Sequence, residues 1–228
     1  MSRVRVHSFS VSLDGYGAGP DQSVQDPLGR GAEQLHEWVF ATARWTEEYG
    51  GDGSGRGVDD EVLREADVGV GATVMGRNMF GPLRGEWPPD DTWRGWWGED
   101  PPYHHPVFVL THHPRPPLVM DGGTTFHFVT DGLEAALARA VEAADGQDVR
   151  LGGGVSTVQA ALRANLVDEL NLAVVPLLLG SGERLFDDGV PEPVGYRCTR
   201  LLASTGVVHV RMERAAASTD GGTIPPPG

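Results

Sequence analysis

Two short glycine-bearing segments constrain the fold of this chain most, because each joins an apolar strand to a helix. One is VRLGGGVST at residues 149–157, and the other is VMGRNMF at residues 74–80. Turns of this kind present unpaired backbone N–H groups and the positive end of a helix dipole to an anion. Two of them in one domain predict a ligand with separated phosphates, such as a dinucleotide. Neither segment matches Gly-x-Gly-x-x-Gly or Gly-Lys-Ser/Thr, which argues against an ordinary Rossmann or ATPase fold.

The charge of the chain narrows the classes of partner. Its 228 residues carry a net charge of −14, so we expect no basic surface for nucleic acid or an anionic membrane. All 18 basic residues are arginines, which excludes chemistry that requires a lysine.

Cys198 is the one cysteine, so no internal disulfide can form. The first residues read as a strand rather than a signal peptide, and no apolar stretch reaches membrane-spanning length, so we expect a cytoplasmic protein.

Strands that alternate with helices predict an α/β fold with a mostly parallel sheet. The predicted strands lie near residues 3–11, 68–75, 107–110, 125–129, 149–151, 167–176 and 207–212. The predicted helices cover 33–48, a short segment from 59, a segment after 131, and 155–164. The helix after Asp131 is expected to begin with a capping box that Glu134 completes. The last two strands follow each other without a helix, which predicts an antiparallel edge.

We expect one domain over residues 1–214 and a disordered tail over 215–228, which is small, polar and rich in proline. The segment at about 84–106 is an irregular insertion with four tryptophans. Because each can bury on the order of 200 Å², we expect them to cover the core, a partner subunit or a ligand. The apolar run at 172–179 suits burial either between the subunits of a homodimer or inside one subunit.

The order of these elements and four motifs resemble the dihydrofolate-reductase fold over residues 3–213. The similarity is greatest to the C-terminal reductase domain of bacterial bifunctional riboflavin-biosynthesis deaminase-reductases and its stand-alone relatives. The motifs are Ser-Leu-Asp-Gly at 12–15, Gly-Arg-x-x-Phe at 76–80, Leu-Gly-Gly-Gly at 151–154, and Leu-Val-Asp-Glu-Leu at 166–170 with Pro176 and Gly-Ser-Gly at 180–182. The resemblance implies a three-layer α/β/α domain whose central sheet is mostly parallel, with an antiparallel C-terminal edge.

The same resemblance implies NADPH as the cofactor. Its pyrophosphate would lie against the glycine turns, and the strand end at 111–115 would recognise the 2′-phosphate through a hydroxyl, two imidazoles and a guanidinium. The expected cofactor contacts are Ser12, Gly76, Arg77, Asn78, Met79, Thr111, His112, His113, Arg115, Gly152, Gly153, Gly154, Val155, Ser156 and Thr157. Adjacent histidines rarely face one ion together, so we expect no metal site.

The resemblance also implies hydride transfer to a polarised C=N or C=O group, with a nearby acid or water supplying the proton. The first helix offers Glu33, His36 and Glu37, of which at most one is expected to act. His36 has the unperturbed pKa best suited to proton donation near neutrality. Glu33 is the best positional match to the pteridine-binding carboxylate of dihydrofolate reductases. The expected substrate pocket contains Asp14, Tyr16, Trp38 and Trp87.

These observations favour an NADPH-dependent reductase of a small heterocyclic (pteridine-like or pyrimidine-like) or carbonyl substrate. Tyr16 stands where the riboflavin-pathway reductases usually have a basic residue, and we expect no deaminase domain before it. Together with the acidic charge and the tryptophans, this favours a flatter, less charged ring or a carbonyl compound over a ribosyl phosphate. A nucleotide-binding protein without turnover is the alternative, and a flavin or another nucleotide in the same cleft is a third reading.

Overall fold

The computed structural model describes residues 2–81, 85–88, 92–187 and 195–215. Its strands are β1 (Val4–Ser12), β2 (Tyr16–Ala18), β3 (Val70–Gly76), β4 (Pro106–Leu110), β5 (Leu118–Val119), β6 (Thr125–Val129), β7 (Asp148–Gly153), β8 (Glu169–Val175), β9 (Glu183–Arg184), β10 (Tyr196–Ala203) and β11 (Val208–Arg214). Its α-helices are α1 (Glu37–Phe40), α2 (Ala43–Tyr49), α3 (Val58–Ala66), α4 (Arg77–Phe80), α5 (Leu133–Ala143) and α6 (Val155–Arg163). Two 3₁₀ turns cover Ala32–His36 and Asp121–Gly123.

Within these residues, one sheet of nine strands has the order β10-β11-β8-β1-β7-β3-β4-β6-β5. The six strands from β8 to β6 in this order pair in parallel. At one edge β11 and β10 run antiparallel, which confirms the expected mostly parallel sheet with an antiparallel C-terminal edge. β5 adds a short antiparallel strand at the opposite edge, and β2 and β9 form a separate small sheet.

Helices cover both faces of the sheet, which confirms the expected three layers. On one face, Leu137 of α5 and Leu162 of α6 pack against Val6, Val74 and Leu151 of the central strands. Each buried leucine of this kind contributes about 1.5–3 kcal/mol relative to leaving it exposed. On the other face, the first 3₁₀ turn, α1 and α3 cover β1 and β8.

The predicted helix over 33–48 is broken into three pieces in the structure. Thr42 has an extended backbone, and its side chain accepts a hydrogen bond from Trp45 N, so it caps the start of α2. Gly55 bonds the backbone on both sides of this break, because its carbonyl accepts a hydrogen bond from Ala43 N and its N–H donates one to Ala41 O. A side-chain cap and a long-range backbone contact therefore override the helical spacing.

The predicted capping box of α5 is wrong. The residue that precedes the helix is Gly132, and no side chain of the described residues caps it. Asp131 instead forms an ion pair with Arg139 across the first turns, at 2.5 Å. The positive φ of Gly132, 92°, turns the chain into the helix and moves the Asp131 carboxylate away from the capping position.

The sheet order decides where the apolar run at 172–179 is buried. β8 lies between β1 and β11, so its residues up to Val175 are buried inside this domain. Leu178 lies beyond the strand and is exposed. The burial of β8 therefore needs no second subunit.

Three tryptophans of the insertion cover the core. Trp87, Trp93 and Trp97 pack against a cluster that includes Phe80 and Phe126. Parts of the insertion, residues 82–84 and 89–91, lie outside the described residues, as does the predicted tail from 216 onward. No helix in the described part of the chain is long and apolar enough to cross a membrane.

Candidate functional site

A cleft of about 850 Å³ opens at the carboxyl ends of β3, β4, β6 and β7. Parallel strands direct their carboxyl ends to one edge of the sheet, where ligands of open α/β folds bind. The cleft has two halves. One is formed by the glycine turns and the loop after β4, and we call it the cofactor half. The other is formed by the middle of β1 and by α2, and we call it the substrate half.

The glycine turn after β7 gives the cofactor half its open floor. Gly153 has a φ of +120°, a backbone conformation that favours glycine. The peptide bond between Gly153 and Gly154 is cis. Gly154 precedes α6, and a Cβ placed there would meet no atom within 4 Å. No described side chain caps α6, so the first N–H groups of this nine-residue helix stand at the cleft.

The second glycine segment packs directly against the first. A Cβ at Gly76 would overlap Thr157 Oγ1 and would lie 3.3 Å from Gly154 N. The end of β3 can approach the start of α6 only because position 76 has no side chain. The helix after this turn, α4, has only four residues, so its dipole adds little to an anion site.

Arg77 supplies the positive charge of this half. Its guanidinium lies 3.9 Å from the centre of the Trp87 ring and donates one hydrogen bond to Gly85 O. Its Nε and NH2 atoms are buried and have no partner among the described residues. Burial lowers the pKa of Arg77, and the nearby charge of Arg115 lowers it further. Unpaired buried donors cost about 1–3 kcal/mol each, which an anion would offset.

The loop after β4 supplies the remaining polar wall. Thr111, His112 and His113 line the cleft, and Thr111 Oγ1 accepts a hydrogen bond from His113 N at 3.1 Å. The Arg115 side chain is buried behind this wall. Its guanidinium packs over the rings of Trp87, Phe128 and Phe80 at 5.0, 5.1 and 5.8 Å.

Of the fifteen expected cofactor contacts, Ser12 and Arg115 do not line the cleft. The structure brings the other thirteen together on its walls, namely Gly76, Arg77, Asn78, Met79, Thr111, His112, His113, Gly152, Gly153, Gly154, Val155, Ser156 and Thr157.

Of the three candidate catalytic residues, His36 lines the substrate half, whereas Glu33 and Glu37 are exposed outside it. The Nδ1 atom of His36 is buried and makes no hydrogen bond to a described residue. Burial lowers the pKa of His36, and the Ala32 carbonyl opposes this only in part. The imidazole is therefore neutral near pH 7.

Ser12, the last residue of β1, and Asp14 hold the loop that follows β1 in place. Asp14 accepts hydrogen bonds from the Ser12 hydroxyl at 2.6 Å and from Gly180 N at 2.7 Å. The Ser12 hydrogen bond is the largest cause that lowers the pKa of Asp14, to about 2. The ring of Tyr16 lies below the Arg184 guanidinium at 5.1 Å. The structure places these three predicted site residues outside the cleft lining.

The two predicted pocket tryptophans lie one layer behind the cleft. Trp38 is buried and donates to Ser10 Oγ at 3.0 Å. Trp87 donates to His113 O at 2.9 Å. Each supports a residue that lines the cleft and does not line it itself.

Sequence reasoning missed the wall that β1 contributes. The register of β1 shifts between Val6 and Phe9, and Ser8 there has a φ of +52°. This bulge places His7, Ser8, Phe9 and Ser10 on the cleft wall. The signal was the polar side chains of His7, Ser8 and Ser10 in the middle of this strand.

Sequence reasoning also missed an aromatic wall in the substrate half. It consists of Trp45 and Tyr49 of α2, whose rings lie 4.3 Å apart, and of Trp97 and Tyr103, whose rings meet edge to face at 5.1 Å. Such rings are suited to stacking on a flat, uncharged ligand.

Comparison with known proteins identifies the family that this site resembles. Residues 5–210 match the family model of the RibD C-terminal domain. A candidate riboflavin biosynthesis protein from Shewanella sp. PV-4 superposes with a TM-score of 0.58 at 22% identity, covering 95% of this chain and 100% of that chain. A pyrimidine reductase-like protein from Corynebacterium diphtheriae superposes with a TM-score of 0.52 at 13% identity, covering 95% and 93%.

A deaminase/reductase from Thermotoga maritima, a 5-amino-6-(5-phosphoribosylamino)uracil reductase, superposes with a TM-score of 0.54 at 13% identity. That match covers 94% of this chain and 57% of the other. No curated protein matches the chain. The structural similarities confirm the fold that the sequence predicts.

Proposed function

The chain belongs to the RibD C-terminal domain family, and we propose that it is an NADPH-dependent reductase of a small, uncharged heterocyclic or carbonyl compound. The observation that supports this best is that an open glycine turn and Arg77, whose guanidinium has unpaired donors, line the same cleft. Both features would stabilise a bound polyphosphate.

The glycine turn fits the pyrophosphate of a dinucleotide. Gly154 leaves open space above the start of α6, and the first N–H groups of that helix are available to phosphate oxygens. Gly76 brings the end of β3 to the same place. A phosphate there would accept backbone hydrogen bonds from one side and face Arg77 on the other.

The loop after β4 fits the 2′-phosphate that distinguishes NADPH from NADH. His112 is exposed at the cleft rim, and Thr111 and His113 line it. Arg115 lies behind them and packs over the Trp87 ring, so its guanidinium would not contact the 2′-phosphate directly. We therefore assign the direct contacts to the hydroxyl and the imidazoles.

NADPH, when bound, supplies a hydride from C4 of its nicotinamide ring. The substrate half then has to hold an acceptor flat beside that ring and to deliver a proton. Trp45 and Tyr49 supply a stacking surface, and His36 is the candidate catalytic side chain that reaches this half. Because its imidazole is neutral, His36 can orient a water or a substrate N–H group and relay a proton.

A nucleotide-binding protein without turnover is the second candidate. The observation that favours it is that burial lowers the pKa of His36 while Glu33 and Glu37 lie outside the cleft. If none of these three residues supplies a proton to a substrate, the cleft would bind the cofactor without using it.

Parallel calorimetric titrations with NADPH and NADH test the proposal. We expect NADPH to bind at least about tenfold more tightly, a difference of about 1.4 kcal/mol. A screen of pteridines, pyrimidines and quinone-like carbonyls should then reveal a compound that oxidises NADPH. Binding of neither nucleotide would overturn the proposal, and NADPH binding without turnover would leave the second candidate.

A further inference from the structure

One carboxylate bridges two arginines in the substrate half. Asp67, directly after α3, accepts a hydrogen bond on Oδ1 from Arg150 NH1 at 2.7 Å. Its Oδ2 accepts from Arg44 NH2 at 3.4 Å. Arg150 belongs to β7 and Arg44 to α2, so the carboxylate joins these two elements, and all three residues line the cleft.

The charges at this point cancel. Glu48 forms a second ion pair with Arg44, so two carboxylates face two guanidinium groups. His105 lies close by, but burial, followed by the charge of Arg150, lowers its pKa to about 4. The imidazole is therefore uncharged near neutrality and adds no positive charge.

Without Asp67, the same place would suit a phosphate monoester. Two guanidinium groups beside one carboxylate bring N–H donors of both arginines to one place, and phosphate recognition commonly uses such donors. Asp67 occupies Arg150 NH1 and Arg44 NH2, and Glu48 bonds Arg44 NH1, so removing Asp67 frees one donor on each arginine. The Asp67 carboxylate would also repel a dianion at contact distance. At about 4 Å, two unit charges interact by about 1 kcal/mol in water and about 4 kcal/mol near a protein surface.

We propose that Asp67 determines specificity by closing a latent phosphate site, so that the substrate half accepts uncharged compounds and rejects phosphorylated ones. The inference rests on the proposed function only in assigning this half of the cleft to the substrate. Asp67 acts here as a specificity-determining residue, and it takes no part in hydride transfer.

The test is a gain of binding. Inorganic phosphate and ribose 5-phosphate are titrated by calorimetry into the NADP⁺-saturated full chain. We expect no detectable binding of either compound to the wild type and measurable binding of both to Asp67→Ala, a gain in affinity of at least about tenfold over the detection limit. Adding Arg150→Ala to Asp67→Ala should abolish this gain.

Glu61→Ala is the matched control. Glu61 is exposed on α3, the helix that precedes Asp67, and it lies outside the cleft lining. The substitution removes one negative charge, as Asp67→Ala does, but it frees no arginine donor in the cleft, so it should gain no phosphate binding. A gain equal to that of Asp67→Ala would show an effect of net charge and would overturn the inference.

Three other results would also overturn it. These are phosphate binding to the wild type, no gain in Asp67→Ala, and a gain that survives Arg150→Ala. The NADP⁺ titration of the wild type reports on the proposed function separately. If NADP⁺ does not bind, the comparison between Asp67→Ala and Glu61→Ala is made on the free protein. Phosphate that binds at Arg77 would do so equally in both variants, so it would not affect the difference between their affinities.

Discussion

Gly76 and Thr157 lie in contact, with no space between them for one methyl group. A Cβ at position 76 would overlap the Thr157 hydroxyl and approach the Gly154 nitrogen to 3.3 Å. The two glycine segments that the sequence singles out therefore form one structural unit. The end of β3 sets the position of the turn that precedes α6.

Gly76→Ala tests this contact. Because the neighbours are a side-chain hydroxyl and a backbone nitrogen, we expect a loss of about 1–3 kcal/mol in the free energy of unfolding. Thr157→Ala removes the overlapping hydroxyl, so the double variant should recover most of that loss. Urea unfolding of the four proteins in this cycle gives the coupling energy. Additive losses would mean that the two residues do not interact.

Gly154→Asp tests the phosphate site without straining the backbone. Gly154 has a φ of −70° and open space where a Cβ would stand, whereas Gly153 has a φ of +120°, where any side chain is strained. A carboxylate at 154 would face the pyrophosphate, so we expect NADPH affinity to fall by about a hundredfold or more. Gly154→Ala is the control for size and should lose far less. Equal affinities of the two variants for NADPH would refute the charge argument.

His36→Gln tests the catalytic assignment. With a compound found in the NADPH-oxidation screen, we expect kcat to fall by about 10²-fold or more, because relayed proton transfer typically contributes this much. NADPH affinity should stay unchanged. Glu33→Gln and Glu37→Gln serve as matched controls on the exposed side of the same segment. A similar kcat for all four proteins would point to water alone as the proton source.

His105→Gln tests the dependence of stability on pH. The His105 ring bonds Thr73 Oγ1 at 2.8 Å, and burial, then Arg150, lowers its pKa from 6.5 to about 4. A depressed pKa favours the neutral form in the folded state. Its contribution to stability is therefore complete above pH 6.5 and is lost as the pH falls through 4.

The stability of the wild type should thus fall relative to that of His105→Gln as the pH decreases from 6.5 to 4. Thermal or urea unfolding at intervals across this range measures the difference. A constant difference at every pH would mean that His105 titrates normally in the folded protein.

The cofactor half was largely predictable because its information is local. The glycines at 152–154 and the pair Gly76 and Arg77 are adjacent in sequence to the strand ends that present them. The loop at 111–113 is found in the same way. Arg115 is the exception, since nothing local indicates that its guanidinium packs among the rings of Trp87, Phe80 and Phe128.

The substrate half was not predictable because distant contacts create it. The bulge at Ser8 arises from the register of β1 against β8, and the break at Thr42 arises from pairing with Gly55. Asp67 bridges α2 and β7 only once both have docked. Helical spacing could not distinguish among Glu33, His36 and Glu37 as catalytic candidates. The packing of the 3₁₀ turn determines that His36 is the one that faces the cleft.

The central position of β1 has a consequence for how the chain acquires its structure. The strand pairs with β7 at Val149 and with β8 at Glu169, both far along the chain. Closing such long loops costs entropy before any contact forms, which slows folding. During synthesis β1 cannot form these pairs until β7 and β8 have left the ribosome. The cleft wall that β1 carries can therefore form only after both of these later strands are available.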